Sequence, residues 1–387
     1  MNSKFNADCS SQQTRGKSLP SVLFPFAGQK PGGSHISTFT LAKALREFYG
    51  IHSVVAAPAG TKVEAEALRF GLKVQPCLNV PLTSSPGLRE LAFLPRRVAY
   101  LRTLGSNVVV HCNDVWNLRA WYAPSRLVGC PIVYHHRAFA KPTIANRVLI
   151  GGADKIISIS DACCDDLRSI VKRDVVRITN PFDAISYFGG DELRQELLKQ
   201  LPSSPKTTLI GFVANFQIRK RPEFFLDVAG SIAQLDSDAR FVMFGSERDI
   251  TVSDLRSRAA QHGIADRVIF PGFRSPPEAN IAALDLLIAP AISEPFGRTL
   301  VEAVLVGTPY VATADAGHSE IYRRWRGGVL APSEADYTSF ALVCVDALRN
   351  PDNLRLTSEA KMQVMDEIDP RRHAAEVLEI YMQTAEN

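Results

Sequence analysis

Cysteine is scarce and unpatterned in this chain. Seven are scattered through 387 residues, at positions 9, 77, 112, 130, 163, 164 and 344, without a C-x-x-C pair. That spacing argues against a disulfide framework and a cysteine-based zinc site, and it fits a cytoplasmic setting. Long apolar runs are also missing, and a bilayer-spanning helix needs about 18 such residues or more. The opening MNSKFNADCSSQQTRGKS has no apolar core, so it reads as a disordered tail rather than a secretory signal. The glycine loop at 27–34, after the first predicted strand, is not G-x-G-x-x-G and lacks the G-K-[ST] of a P-loop, the two commonest phosphate fingerprints. Asp236-Ser237-Asp238 has the D-x-D form that binds a metal and a diphosphate in some sugar transferases. It precedes a predicted strand, at the wrong end of a parallel sheet, and is rejected.

What remains is an ordinary globular composition, 46% hydrophobic and 22% charged, long enough for two to three domains. The net charge of +4 hides an asymmetry. Residues 1–180 hold 23 Lys and Arg against 11 Asp and Glu, and the rest hold 21 against 29. The first half therefore favours an anionic partner, such as a phosphorylated acceptor or an anionic membrane surface. A nucleic acid is a further anionic candidate for that half, but the basic triplet Arg219-Lys220-Arg221 is too short for a nucleic-acid surface and lacks interleaved aromatics, so none is expected. Short apolar runs alternate with helical periodicity throughout. The pattern predicts strands at 21–26, 52–56, 108–112, 132–135, 155–159 and 175–178, then at 209–214, 240–244, 268–270, 285–289 and 310–313. This is an α/β chain of two doubly wound, Rossmann-like domains facing across a cleft. The expected divisions are a tail at 1–18, a first domain at 19–188, a linker at 189–206, a second domain at 207–370 and a closing helix at 371–387, which is expected to pack back on the first domain.

The segment SEPFGRTLVEAVLVGTPYVAT is the most informative. Pro295-Phe296-Gly297 breaks the backbone before a helix predicted at 298–306. A helix start offers unpaired N–H groups and partial positive charge, which suits a phosphate. Glu294 stands at that mouth, and Glu302 lies inside the helix among apolar neighbours, where a carboxylate needs a partner. Other post-strand loops carry polar groups. The glycine loop 27–34 includes Gly32 and Gly33. His111 follows one strand, and His135, His136 and Arg137 end another. Asn215 leads to Arg219, Lys220 and Arg221, three cations beside a helix start that call for an anion. Gly245, the turn with Phe273 and Arg274, and the loop with Gly317 complete the set. The histidines have no carboxylate pattern around them that would hold a metal.

Together these residues resemble the retaining glycosyltransferases of family 4, which have the GT-B fold. The carrying stretches are GFVANFQIRKRPEFFLDVA, PGFR and SEPFGRTLVEAVLVGTPYVATADAGHSEI, with GGADKIISISDACCDDL and VRITNPFD before the linker. The resemblance covers roughly residues 20 to 330. It implies an acceptor-side first domain and a second domain that binds a sugar linked to a nucleotide diphosphate, UDP or GDP. By that resemblance Glu294 binds donor-sugar hydroxyls and Glu302 the ribose. Phe296, Gly297, Arg298, Thr299 and Leu300 surround the diphosphate, and Lys220 binds it. Gly245 and the 272–274 turn contact the base, and His135 or His136 faces the donor. Two positions depart from the pattern. Asn215 stands where the family carries an arginine, and Ala316-Gly317 where it carries two glycines.

The reaction implied is transfer of a glycosyl group, with retention, to a saccharide or lipid-linked acceptor in envelope polysaccharide or lipopolysaccharide synthesis. It needs no cofactor and no metal, because the cations can hold the leaving diphosphate, and the enzyme would be cytoplasmic or peripheral to the membrane's inner face. The competing readings are an epimerase or phosphorylase on the same scaffold and an inactive nucleotide-sugar-binding relative.

Overall fold

The computed structural model describes residues 19–76, 87–183 and 190–384. The expected 1–18 tail, the division at 188/189 and residues 385–387 lie outside them. The first lobe is built on β1 (Ser21–Pro25), β2 (Ser53–Ala57), β3 (Lys73–Pro76), β4 (Val108–Cys112), β5 (Ile132–His136), β6 (Lys155–Ser158) and β7 (Val176–Arg177). They form one parallel sheet in the order β3-β2-β1-β4-β5-β6-β7. The second lobe has β8 (Thr208–Val213), β9 (Ala239–Phe244), β10 (Val268–Gly272), β11 (Leu286–Ala289), β12 (Tyr310–Thr313) and β13 (Gly328–Ala331), in the parallel order β10-β9-β8-β11-β12-β13.

Both orders reverse direction beside the first strand of the lobe, and ligands bind beyond the carboxyl ends of strands at such a switch point. The central strands are buried on both faces, as helices on either side of a parallel sheet require. Val108 to Cys112 and Ile132 to His136 are buried at every position.

Two strands and one helix lie outside the sequence expectation. β3 and β13 are four-residue edge strands with half-exposed positions, too short to give a periodic signal. The helix Ala316–Trp325 reads in sequence as a loop, because its start is Ala-Gly-His-Ser and no side chain caps it. The helix Gly190–Leu198, in the expected linker, packs Leu193 and Leu197 against the second-lobe core. The last helix, Pro370–Thr384, buries Ala374, Val377, Ile380 and Tyr381 among first-lobe residues Leu41, Ala42 and Leu45. The chain thus crosses back and ties the lobes at both ends. No helix among the described residues is long and apolar enough to cross a membrane.

Candidate functional site

Beyond β11 the chain turns through Ser293 and Glu294 to Gly297, whose φ of 95° is open to glycine and strained for other residues. That turn aims the helix Arg298–Val306 with no side-chain cap at its start, leaving its first N–H groups for a ligand. Thr299 is half-exposed at this mouth, while Phe296 and Leu300 pack into the core and hold the helix in place.

Glu294 is 7% exposed and accepts from two cations. Lys220 Nζ lies 2.5 Å and Arg219 Nη1 2.7 Å from its Oε2. Both come from the short turn Ile218–Lys220 after β8. Burial alone would raise the carboxyl, but Lys220, Arg219 and His318 outweigh it and hold the group down to about 2. One carboxylate against two cations and a helix start leaves a surplus of positive charge, which favours an anion. Arg221, the third cation, turns away and lies 3.6 Å over the Phe224 ring. Asn215 braces the neighbouring loop, accepting from the Ser246 N–H at 3.2 Å. Gly245 fits beside it because a Cβ there would meet the Ala214 carbonyl oxygen at 2.0 Å.

The helix Ala316–Trp325 closes this site from behind. Gly317 donates its N–H to the Glu294 carbonyl at 2.8 Å. A Cβ at 317 would lie 2.7 Å from that oxygen and 2.6 Å from the Phe296 oxygen. His318 is 1% exposed, packs against Gly297 and has no partner at Nδ1. Burial brings its imidazole down to about 4, so it is neutral at physiological pH.

Glu302 has a different balance. It is 3% exposed, and its nearest cation is Arg298, one turn earlier at 3.5 Å. Burial dominates and raises the carboxyl to about 7. Arg298 is shared with the first lobe. Its Nη1 donates to Ser37 Oγ at 2.7 Å and to the Pro181 carbonyl at 3.3 Å, and the guanidinium sits 4.0 Å over the Phe182 ring. A Cβ at Gly33 would meet Arg298 Cδ at 2.8 Å, so glycine there lets the lobes meet. Gly32 caps the helix Gly33–Tyr49. His35 on that helix stacks on Phe26 and feels Arg248 of the second lobe, so this loop lines the same cleft.

The histidines at the first-lobe strand ends are buried. His135 and His136 are both 0% exposed. As consecutive strand residues their rings enter opposite faces of the sheet. His136 is held between Tyr134 Oη and Asp166 Oδ2, each at 2.9 Å. His135 contacts His111 at 3.2 Å, and His111 in turn meets Tyr381 Oη of the last helix at 2.6 Å. Both rings are buried in the first lobe, and His135 Nδ1 lies 3.1 Å from Arg137 Nη2. Arg137, the next residue, is buried among Asn113, Asn180 and His135, where the charge of Arg298 reaches it. Arg274 pairs with Glu196 at 2.8 Å on the outer rim, and Phe273 is 62% exposed beside it.

Three residues at this interface have no individual role assigned from sequence. Ser160 is fully buried and donates to the Pro295 carbonyl at 2.6 Å, gripping the Glu294 turn from the first lobe. Glu320 accepts from the Asp161 N–H at 2.7 Å and from Arg177 at 2.5 Å, also across the lobes. His318 is the third. A serine that caps its own helix, as Ser160 does, looks complete without the second contact. Among the described residues no three His, Cys, Asp or Glu side chains are grouped to hold a metal ion.

Comparison with known proteins covers both lobes. The family model for glycosyl transferases group 1 matches residues 194–363, and that for glycosyltransferase family 4 matches residues 31–184. The chain is 27% identical over 252 residues to a D-inositol 3-phosphate glycosyltransferase of Corynebacterium urealyticum, covering 60% of this chain and 58% of that one. It is 27% identical over 198 residues to the lipopolysaccharide core biosynthesis mannosyltransferase LpsB of Rhizobium meliloti, covering 49% and 54%. The matched stretches thus span little more than half the length of these relatives. Among solved structures, Anabaena HepE in complex with UDP and glucose superposes with a TM-score of 0.76 at 20% identity, over 93% of this chain and 99% of that chain. Sucrose-phosphate synthase from Thermosynechococcus elongatus gives 0.75 at 17% identity, over 94% and 98%. These likenesses establish the shared two-lobed GT-B fold.

Proposed function

The chain belongs to the family 4 glycosyltransferases of group 1, and we propose that it moves a sugar from a nucleotide diphosphate to a saccharide or lipid-linked acceptor, with retention and without a metal. One observation carries this reading: Glu294 sits under two cations at the uncapped start of a helix, with positive charge in surplus. A leaving diphosphate gathers negative charge in the transition state. Lys220, Arg219 and the N–H groups of Arg298 and Thr299 would hold it. In analogous sites one such donor is worth roughly 3–4 kcal/mol. Glu294 is fully ionised at neutral pH, so it can only accept, which suits the hydroxyls of the donor sugar. Glu302, one helix turn behind Arg298, would accept from the ribose. The cations already supply the charge a divalent metal would bring. No further carboxylate is needed as nucleophile if the leaving diphosphate takes the acceptor proton.

The test is a melting panel of UDP, GDP and their sugars, followed by transfer assays. A ligand at 100 times its dissociation constant adds about 2.7 kcal/mol. Nucleotide release should depend on an acceptor, the product should keep the donor's anomeric configuration by NMR, and a chelator should leave the rate unchanged. A panel in which no nucleotide shifts the melting temperature sinks the reading. An inverted product sinks retention, and chelator-sensitive activity sinks metal independence.

A further inference from the structure

The cleft floor holds a second positive centre that the diphosphate does not need. Arg137 is 7% exposed, at the carboxyl end of β5. Its Nε donates to Asn113 Oδ1 at 2.9 Å, its Nη1 donates to Asn180 Oδ1, and its Nη2 faces His135 Nδ1 at 3.1 Å. All three partners are neutral, His135 because burial keeps it well below the usual imidazole range. Among the described residues no carboxylate lies within 4.0 Å of Arg137. Lys220, Arg177 and Arg298 each have one, in Glu294, Glu320 and Glu302. Burial and the neighbouring charge of Arg298 bring the Arg137 guanidinium down to about 9. An unpaired charge taken out of water costs several kcal/mol.

The surroundings offer donors. Asn113 is 2% exposed, and its Oδ1 is already used by Thr38 Oγ1 at 2.9 Å and by Arg137. That fixes the amide and leaves Nδ2 buried with no partner. Thr38 lies in the helix Gly33–Tyr49, whose first turn has no acidic residue and whose N-cap Gly32 donates its N–H to His35 Nδ1 at 3.2 Å. The chain beyond Arg137 is open, since Ala138 and Phe139 are exposed.

We propose that Arg137, with Asn113 Nδ2 and the start of the helix Gly33–Tyr49, forms a subsite for a carboxylate or phosphate carried by one of the two substrate sugars. The proposal rests on the glycosyl-transfer reading and narrows its substrate class to a pair in which one sugar is an anion. A uronic acid on the donor and a phosphorylated sugar as acceptor present the same chemistry, and the experiment separates them.

Dissociation constants would be measured by calorimetry on the full chain for two matched pairs. The pairs are UDP-glucuronate against UDP-glucose, and glucose 6-phosphate against glucose with UDP present. GDP and its mannuronate and mannose conjugates replace the uridine compounds if only GDP binds. In the wild type one anionic member should bind roughly tenfold tighter or more than its neutral partner, as a charge-assisted hydrogen bond to a buried cation gives. Arg137→Gln should bring that ratio close to one and leave nucleotide affinity unchanged, and Arg137→Lys should keep part of it. The first pair responding assigns the donor, and the second assigns the acceptor. A wild-type ratio near one in both pairs overturns the proposal, and that comparison needs no variant to fold. An unchanged ratio in Arg137→Gln also overturns it. So does a loss of nucleotide affinity there with no change in ratio, which would give the guanidinium to the diphosphate. Absence of any nucleotide binding would instead remove the transfer reading itself.

Discussion

Replacing Lys220 by alanine tests the electrostatics of the site in two independent ways. The Lys220 side chain is 17% exposed and that of Glu294 9%, so the pair interacts with little water between. Lowering the Glu294 carboxyl from 4.5 to about 2 corresponds to roughly 3 kcal/mol of native stability at neutral pH. Lys220 is the larger cationic cause. Arg219 remains in the variant, but its side chain is 42% exposed and its contribution is screened. Lys220→Ala should therefore lose about 1–3 kcal/mol at pH 7. The sign with pH follows from the direction of the shift. A carboxyl held below its unfolded value stabilises the fold above pH 4.5, and that stability is lost as pH falls toward 2. The gap between wild type and variant in urea melts should thus narrow between pH 5 and 3. Turnover should fall by about 10²–10³, the loss expected when one preorganised donor to a developing charge is removed. An equal stability gap at pH 3 and pH 7 would refute the electrostatic account. Turnover within twofold of wild type would remove Lys220 from the chemistry.

Three further substitutions probe the supports of this site. Gly317→Ala drives a methyl into the Glu294 and Phe296 carbonyl oxygens, which are backbone and cannot swing aside, so about 2–3 kcal/mol should be lost in urea melts together with nucleotide binding. Wild-type melting would show that the turn yields. Ser160→Ala removes both a helix cap and the donor to Pro295; stability should fall by about 1–2 kcal/mol. A change in kcat beyond that of another cap variant, such as Thr143→Ala, would mark it as a positioning residue. Glu302→Gln should flatten the pH profile of stability. With its carboxyl raised from 4.5 to about 7, the wild type loses up to roughly 3 kcal/mol as pH climbs between those values, and the amide has no proton to lose. Parallel profiles for the two proteins would contradict the burial argument.

The alternation of strand and helix was legible because parallel strands are continuous apolar runs, and the doubly wound architecture followed from it. Edge strands β3 and β13 were not, because four residues half in solvent carry no period. The Glu294 turn and its cations could be read because proline, glycine and charge mark a helix start directly. The choice between His135 and His136 stays open in sequence because which face a strand-end ring enters depends on register, and a shift of one residue moves the side chain to the other face. Ser160 and His318 were invisible for another reason. Each acts through a contact across the lobes or against a bare glycine, and local sequence holds no trace of either.

Glu294 and Glu302 are eight positions apart and equally buried, yet their carboxyls move in opposite directions, because one has two close cations and the other has a single cation at 3.5 Å. This has a consequence for binding that calorimetry can read. At pH 7 a group near 7 is about half protonated. Ribose hydroxyls donating to Glu302 favour its ionised form, so its value must fall and close to half a proton should leave per donor bound. A nucleotide diphosphate sugar has no group of its own titrating there, which makes it a cleaner probe than UDP. The binding enthalpy should then vary with the ionisation enthalpy of the buffer at pH 7. The variation should shrink to about a tenth of a proton at pH 8, where Glu302 is largely ionised, and be absent at pH 7 in Glu302→Gln. Glu294, held at about 2, contributes nothing in this range. A buffer-independent enthalpy at pH 7 would mean that Glu302 does not meet the ribose, and the helix would then supply the diphosphate site alone.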